Sequence, residues 1–235
     1  MTDTTTLRAS LIDDLRACRD AERAIFGALD PTTRDTPGPD GGWSPKDNLA
    51  HLSAWRHRQA TKMAAIHDGL PAPTLPAEDI DATNAVFHAE RARWSWDEVD
   101  RDADATLEAF VAQIAAVSDE VLLDEKVLAP IMGDGPEHDL AHLGAIAKTV
   151  GMSDRVRALA DRTQAMLDDG VWPDRAAAVA RYNLACHAAL EGDLDRARGL
   201  LRLALPGHDD LIELAPKDSD LIALRDEIPA LAVGT

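Results

Sequence analysis

The sequence predicts an all-α protein: a four-helix bundle over residues 1–151, followed by a helical-hairpin extension over 152–235. Three observations point there. Apolar residues recur at three- and four-residue spacings through most of the chain, and no stretch shows the alternation of a half-buried strand. The composition is 46% hydrophobic, Ala-rich and only 4% aromatic, which suits close-packed helices better than a β-sandwich. Capping residues and Gly or Pro breakers punctuate the periodic stretches.

Leu7, Leu11, Leu15, Cys18, Ile25 and Leu29 paint one face of a first helix. Asp30-Pro31 and the run Pro37-Gly38-Pro39-Asp40-Gly41-Gly42 end it and predict a loop. A second helix starts sharply, with Ser44 as N-cap, Pro45 at the first helical position and Asp47 three residues after the cap. It carries Leu49, Leu52, Trp55 and Met63 and stops at Asp68-Gly69; Pro71, Pro73 and Pro76 make the next connection extended. A third helical region spans about 78–94. Ser95 with Glu98 reads as a capping box that restarts a helix through Val99, Leu107, Phe110, Val111 and Ile114. Residues 130–135 read as a loop, and Pro136 opens a helix to Val150 with Gly151 as its stop. Beyond it, Ser153 caps a helix to Asp169 with Gly170 as stop, Pro173 starts another, and Tyr182–Glu191 with Leu194–Leu205 form an antiparallel hairpin around Gly192-Asp193.

Forty-two acids against 24 bases give a formal net charge of −18, which argues against nucleic-acid and anionic-membrane partners, since both need clustered Lys and Arg. The acidity is concentrated: residues 97–139 hold 13 acids and two bases, a solvated face that also raises cation concentration just before His138. No run of 18 apolar residues predicts a membrane span, and Met-Thr-Asp-Thr-Thr-Thr has no signal-peptide character, so the expected location is the cytoplasm. Cys18 and Cys186 form no disulfide framework and read as small core residues.

Of eight histidines, His138 and His142 lie four apart on the helix opened by Pro136, hence on one face, where two imidazoles can chelate a divalent metal. Chance alone makes such a pair common, and surface or core histidines are the plain alternative.

The stretch Trp43-Ser44-Pro45-Lys46-Asp47-Asn48-Leu49-Ala50-His51-Leu52-Ser53-Ala54-Trp55 adds weight. Read as Trp-Ser-x-Lys-Asp-x-Leu-Ala-His-Leu-x-x-Trp, it resembles the second-helix signature of the DinB-like superfamily, nearest its ClbS/DfsB-type four-helix bundle branch. Asn84-Ala85-Val86-Phe87 with Ser95-Trp96-Asp97-Glu98-Val99 resembles that branch's third-helix region, and Glu137-His138-x-x-x-His142 sits where the superfamily's final His-x-x-x-His pair falls. The resemblance covers about residues 5–150. It implies that His51, His138 and His142 together hold one divalent metal, with Zn, Ni or Fe all compatible with imidazole ligands. Three neutral imidazoles would leave an open position for water or substrate, a catalytic rather than closed arrangement. It also implies hydrolytic or thiol-transfer chemistry on a small electrophilic substrate, with a low-molecular-weight thiol as candidate cosubstrate. No residue is assigned a catalytic role beyond the ligands. His57 points some 120° from His51 and is no fourth ligand; Glu137 is expected to face solvent; Asp47 is expected to cap; Trp43 and Trp55 line either a pocket or the core.

The run from Tyr182 to Asp193, followed by Ala197, Leu201 and Ala204, resembles one tetratricopeptide repeat, with the small residues Ala185, Ala188, Ala197 and Ala204 at the close-approach positions and Asp210–Leu231 as a degenerate cap. A lone repeat buries its face on residues 153–172, on the bundle or on another chain, a protein partner docking through a groove beside Tyr182 and Leu201. A non-catalytic helical scaffold that binds a partner there is therefore the competing functional reading, and a purely structural metal the third.

Overall fold

The computed structural model describes residues 4–38, 42–169 and 172–233. In chain order the helices are α1 (Thr4–Gly27), α2 (Pro31–Asp35), α3 (Pro45–His67), α4 (Ile80–Arg91), α5 (Trp96–Ala116), α6 (Asp119–Leu122), α7 (Glu125–Gly133) and α8 (Pro136–Thr149). Then follow α9 (Ser153–Asp169), α10 (Asp174–Leu190), α11 (Leu194–Ala204), α12 (Asp209–Leu214), two 3-10 segments and α13 (Ile228–Leu231). No strand occurs among the described residues, so the chain is all-α. Nor is any of these helices long and apolar enough to cross a membrane. Pro39, Asp40, Gly41, the stop at Gly170 and the first three residues lie outside the described residues.

The bundle consists of α1, α3, α5 and α8. Its apolar stripes are the ones the spacing predicts: Leu7, Leu11, Leu15, Cys18 and Ile25 of α1, and Val99, Leu107, Phe110 and Ile114 of α5, are all buried. Both capping boxes form, with Ser44 Oγ accepting from the Asp47 amide and Ser95 Oγ from the Glu98 amide. Trp96 lies 6.1 Å from Phe26 and under the Arg34 guanidinium.

Two expected loops are helical. Asp30 caps α2, accepting from the Thr32 and Thr33 amides, so Pro31 starts a turn of helix rather than a coil. Residues 130–133 finish α7, which carries Pro130 inside it. Pro130 costs a backbone hydrogen bond, but Val127, Leu128, Ile131 and Met132 are buried against α8 and α10, and that packing prevails over the local preference. Gly135 then joins α7 to α8 in space that admits no side chain: a Cβ there would sit 2.6 Å from the Ile131 carbonyl oxygen and 2.7 Å from Leu15. Ser153 is the first residue of α9 rather than its cap.

The C-terminal helices share one continuous apolar core with the bundle. α9 packs on α1 and α8; Thr163 Oγ1 donates to the buried Asp14 carboxylate at 2.8 Å and Arg162 pairs with it at 2.9 Å. α10 and α11 form the expected hairpin, turning at Gly192 with φ of +84°, and Ala185, Ala188, Ala197 and Ala204 are buried where the helices approach. Tyr182 and Leu201 are buried as well, so they border no open groove.

Behind the α3–α8 contact the bundle buries charge. Arg56 Nη2 donates to both oxygens of Asp139, at 2.8 and 2.7 Å, and to Glu22 Oε1. Arg19 holds the other Glu22 oxygen at 3.1 Å and reaches Asp104 at 2.7 Å. Arg56, Glu22 and Asp139 are all fully buried. Burial alone would raise Glu22; the adjoining guanidiniums, Arg56 foremost, override it and hold that carboxyl at about 2. For Asp139 burial prevails, and its carboxyl is pushed well above the usual range.

Candidate metal centre

The site is built across the α3–α8 contact. The capping box fixes where α3 begins and so places His51 in its second turn; Gly135 and Pro136 fix where α8 begins and place His138 and His142 in its first two turns. The three imidazoles meet as a near-equilateral triangle, with ring centroids 4.7, 4.7 and 4.8 Å apart. One ring nitrogen from each lies within 4.8 Å of the others, and His51 Nε2 and His138 Nε2 are 2.9 Å apart. Nitrogens sharing a tetrahedral ion at about 2.1 Å stand roughly 3.4 Å apart, so small ring rotations separate this arrangement from a coordination shell.

Second contacts orient the rings unequally. His142 Nδ1 donates to Asn48 Oδ1 at 3.0 Å, which leaves its Nε2 lone pair for a ligand. Asn48 is itself held, its Nδ2 donating to the Ser44 carbonyl at 3.0 Å. His51 Nδ1 and His138 Nδ1 are buried without a partner among the described residues, so packing rather than a second hydrogen bond orients these two rings. Trp43 lies 4.6 Å from the His51 ring, and Trp55 6.4 Å from His51 and 6.3 Å from His138. Trp55 is fixed in turn by its Nε1–H donating to Asn84 Oδ1 at 3.0 Å and by Phe87 edge-on at 5.5 Å.

Burial disfavours the imidazolium in all three. His51 is lowered to about 3 by burial and by His142, His138 falls well below the ordinary histidine range, and His142 is lowered by burial. All three are therefore neutral at physiological pH, the state in which imidazole binds metal. An open cavity of about 360 Å³ adjoins the triad, bounded by Trp43, Trp55, Ile80, Asn84 and Asp134. Burial pushes the Asp134 carboxyl up to about 7 against the opposing charges of Arg58 and Lys62, so it can hold or release a proton near neutrality.

His51, His138 and His142 are thus brought together. His57 is exposed and stays outside the site, and Asp47 caps α3. Glu137 corrects an expectation: it does not face solvent but is buried, its Oε2 accepting from Asn183 Nδ2, because α10 covers that side of α8. Asn48 and Asp134 were not identifiable from spacing. Asn48 occupies an unspecified position of the motif and acts only across the helix contact, and Asp134 lies in what reads as a loop.

Two results are expected here. Asn48→Ala frees His142 to turn and removes its acceptor, which should weaken divalent-metal affinity about 10–100-fold, read by competition with a chelating dye. Metal-free protein should also show the histidines in its pH dependence. His51 folds neutral with a value near 3 against 6.5 in the unfolded chain, so its contribution is present above 6.5 and is lost as pH falls from 6.5 towards 3. Asp134 and Glu137, both raised to about 7, act with the opposite sign, losing stability as pH rises through the same region. The comparison that isolates the histidine is therefore His51→Gln against wild type: urea unfolding at pH 7 and pH 5 should give a smaller loss on acidification in the variant, and an equal loss would contradict the assignment.

Comparison with known proteins adds one match and two blanks. No curated protein and no solved structure matches the chain. The family model of the DinB superfamily matches residues 14–147, which takes in the chain from the middle of α1 through most of α8 and all three histidines. With its helical bundle and its His51–His138–His142 triangle, the chain belongs to the DinB superfamily.

Proposed function

We propose that this protein is a cytoplasmic, divalent-metal-dependent enzyme of the ClbS/DfsB-type branch, acting on a small electrophilic molecule by hydrolysis or by transfer of a low-molecular-weight thiol. Residues 1–151 would be the catalytic bundle, and 152–235 an extension whose α10–α11 hairpin is one tetratricopeptide-like unit docked on it. The observation that carries the reading is the triangle of neutral histidines with an open cavity on one side. His51, His138 and His142 would hold the ion. A zinc-type ion bound there supplies Lewis acidity and lowers the pKa of a bound water or thiol.

The chain's own residues do the rest. Asn48 keeps His142 in one tautomer and one orientation. Trp43 and Trp55 give the cavity apolar aromatic walls that exclude water and favour a small, weakly polar substrate. Asp134, the carboxyl bordering the cavity with a value near 7, takes or returns the proton that a hydrolytic or thiol-transfer step must move. The scaffold reading draws on a different observation, the exposed Leu190, Leu203 and Ile222 of the extension, and would add a docking or self-association role.

The test is a screen of the full chain, loaded in turn with Zn, Ni and Fe, against an epoxide, a lactone and an activated alkene, each with and without a low-molecular-weight thiol. Turnover that disappears with a chelator and returns with one of the metals supports the enzyme. Absence of metal-dependent turnover with every class favours a structural ion.

A further inference from the structure

We infer that a second divalent cation binds beside α10, held by Cys186 Sγ and the carboxylates of Asp218 and Asp220, at a site that shares no ligand with the histidine triangle. A cavity of about 520 Å³ lies between α8 and the C-terminal helices, and all three residues border it. Each offers one donor atom, and the three atoms lie within 4.8 Å of one another. Cys186 Sγ is 3.7 Å from Asp218 Oδ2. A thiolate at about 2.3 Å and a carboxylate at about 2.0 Å on a tetrahedral ion are roughly 3.5 Å apart, so this pair already stands at a ligand separation. Asp218 is held in place, accepting from the Tyr182 hydroxyl at 2.8 Å and from the Asp220 amide at 2.9 Å.

Charge makes the case for a cation. Neither Asp218 nor Asp220 makes an ion pair among the described residues, and Lys148, the ammonium on the same cavity, is engaged by Glu191 at 2.8 Å. A third acidic residue, Glu137, lines the same cavity outside this cluster. Glu137 is only 8% exposed; Asn183 satisfies one of its oxygens, and the other, Oε1, is buried with no partner among the described residues. An unpaired buried carboxylate oxygen is costly, and a cation in the cavity offsets that cost. The donor set selects the ion class: a thiolate with carboxylates suits a borderline zinc-type ion and disfavours Mg²⁺ and Ca²⁺, which take oxygen ligands. Cys186 binds as the thiolate, its proton leaves to solvent, and no redox change is involved. The ion ties the segment after α12 to α10 and so clips the extension to itself.

Cobalt(II) distinguishes the two sites, since only this one has sulfur. Chelator-stripped full chain titrated with Co²⁺ should bind two equivalents and develop a thiolate-to-cobalt charge-transfer band. The band should persist in His51→Ala/His138→Ala, vanish in Cys186→Ser, and require at least tenfold more Co²⁺ in Asp220→Asn, which leaves the thiol in place and serves if Cys186→Ser fails to fold. Zn²⁺ should also slow alkylation of Cys186 by iodoacetamide, read by peptide mapping, with buried Cys18 as internal reference. A single equivalent without the band, an unchanged band in Cys186→Ser, or an unshifted titration in Asp220→Asn would overturn the site while leaving the histidine centre untouched.

Discussion

His138→Ala should leave a folded bundle that no longer retains a divalent ion at the α3–α8 contact. His138 touches both other members of the triangle: its Nε2 is 2.9 Å from His51 Nε2, and its ring centroid is 4.8 Å from that of His142 on the next turn. Removing it leaves His51 and His142 on different helices, without the (i, i+4) pair that a single helix pre-arranges. Loss of one direct ligand of three must exceed the roughly 10–100-fold penalty typical of removing an orienting partner such as Asn48. Fold and metal separate cleanly here, because His138 is not part of the apolar core that joins the helices. Metal content after dialysis against a weak chelator, with circular dichroism as the fold control, reads the outcome. Wild-type metal retention in His138→Ala would count against the ligand set.

The largest expected effect on stability lies one layer deeper. Arg56→Ala should destabilise the protein by about 3–5 kcal/mol, because it strands two buried carboxyl groups that share one guanidinium. The loss follows from what remains: Glu22 and Asp139 are both 0% exposed, and the atom that satisfied three of their oxygens is gone. The control is Arg56→Met with Glu22→Gln and Asp139→Leu, which removes charge from all three positions and should recover much of the deficit. Equal instability of the single and triple variants in urea unfolding would show that packing volume, not stranded charge, dominates. The network also bears on the site, since Asp139 follows His138 directly and anchors α8 to α3 through Arg56.

Most of the bundle was legible because its apolar stripes are regular and its starts are marked. The α1 stripe also contained a readable anomaly. Its buried positions run Leu11, Leu15, Cys18, then Ile25, and Glu22 falls in the gap where an apolar residue belongs. In α3 the buried series Leu49, Leu52, Met63 is likewise interrupted by Arg56 and Gln59. Charged residues on a core stripe demand partners, and Glu22, Arg56 and Asp139 find one another across α1, α3 and α8. What was not legible depends on long-range contacts. Glu137 turns away from His138 as helical geometry requires, but which element covers that side follows from where α10 docks. α7 forms despite Pro130 because neighbouring helices bury its apolar face. Of the four tryptophans between residues 43 and 96, Trp43 and Trp55 lie against the histidines, whereas Trp96 and Trp94 lie under Arg34 and Arg91.

We propose that His51, His138 and His142 bind one metal ion together. Anomalous diffraction at the zinc edge from crystals of the zinc-loaded full chain tests it directly. A peak is expected at about 2.1 Å from one ring nitrogen of each of the three histidines, with a further position open towards Trp43 and Trp55. Absence of a peak within coordination distance of all three, with the rings still apart and unliganded, would contradict it.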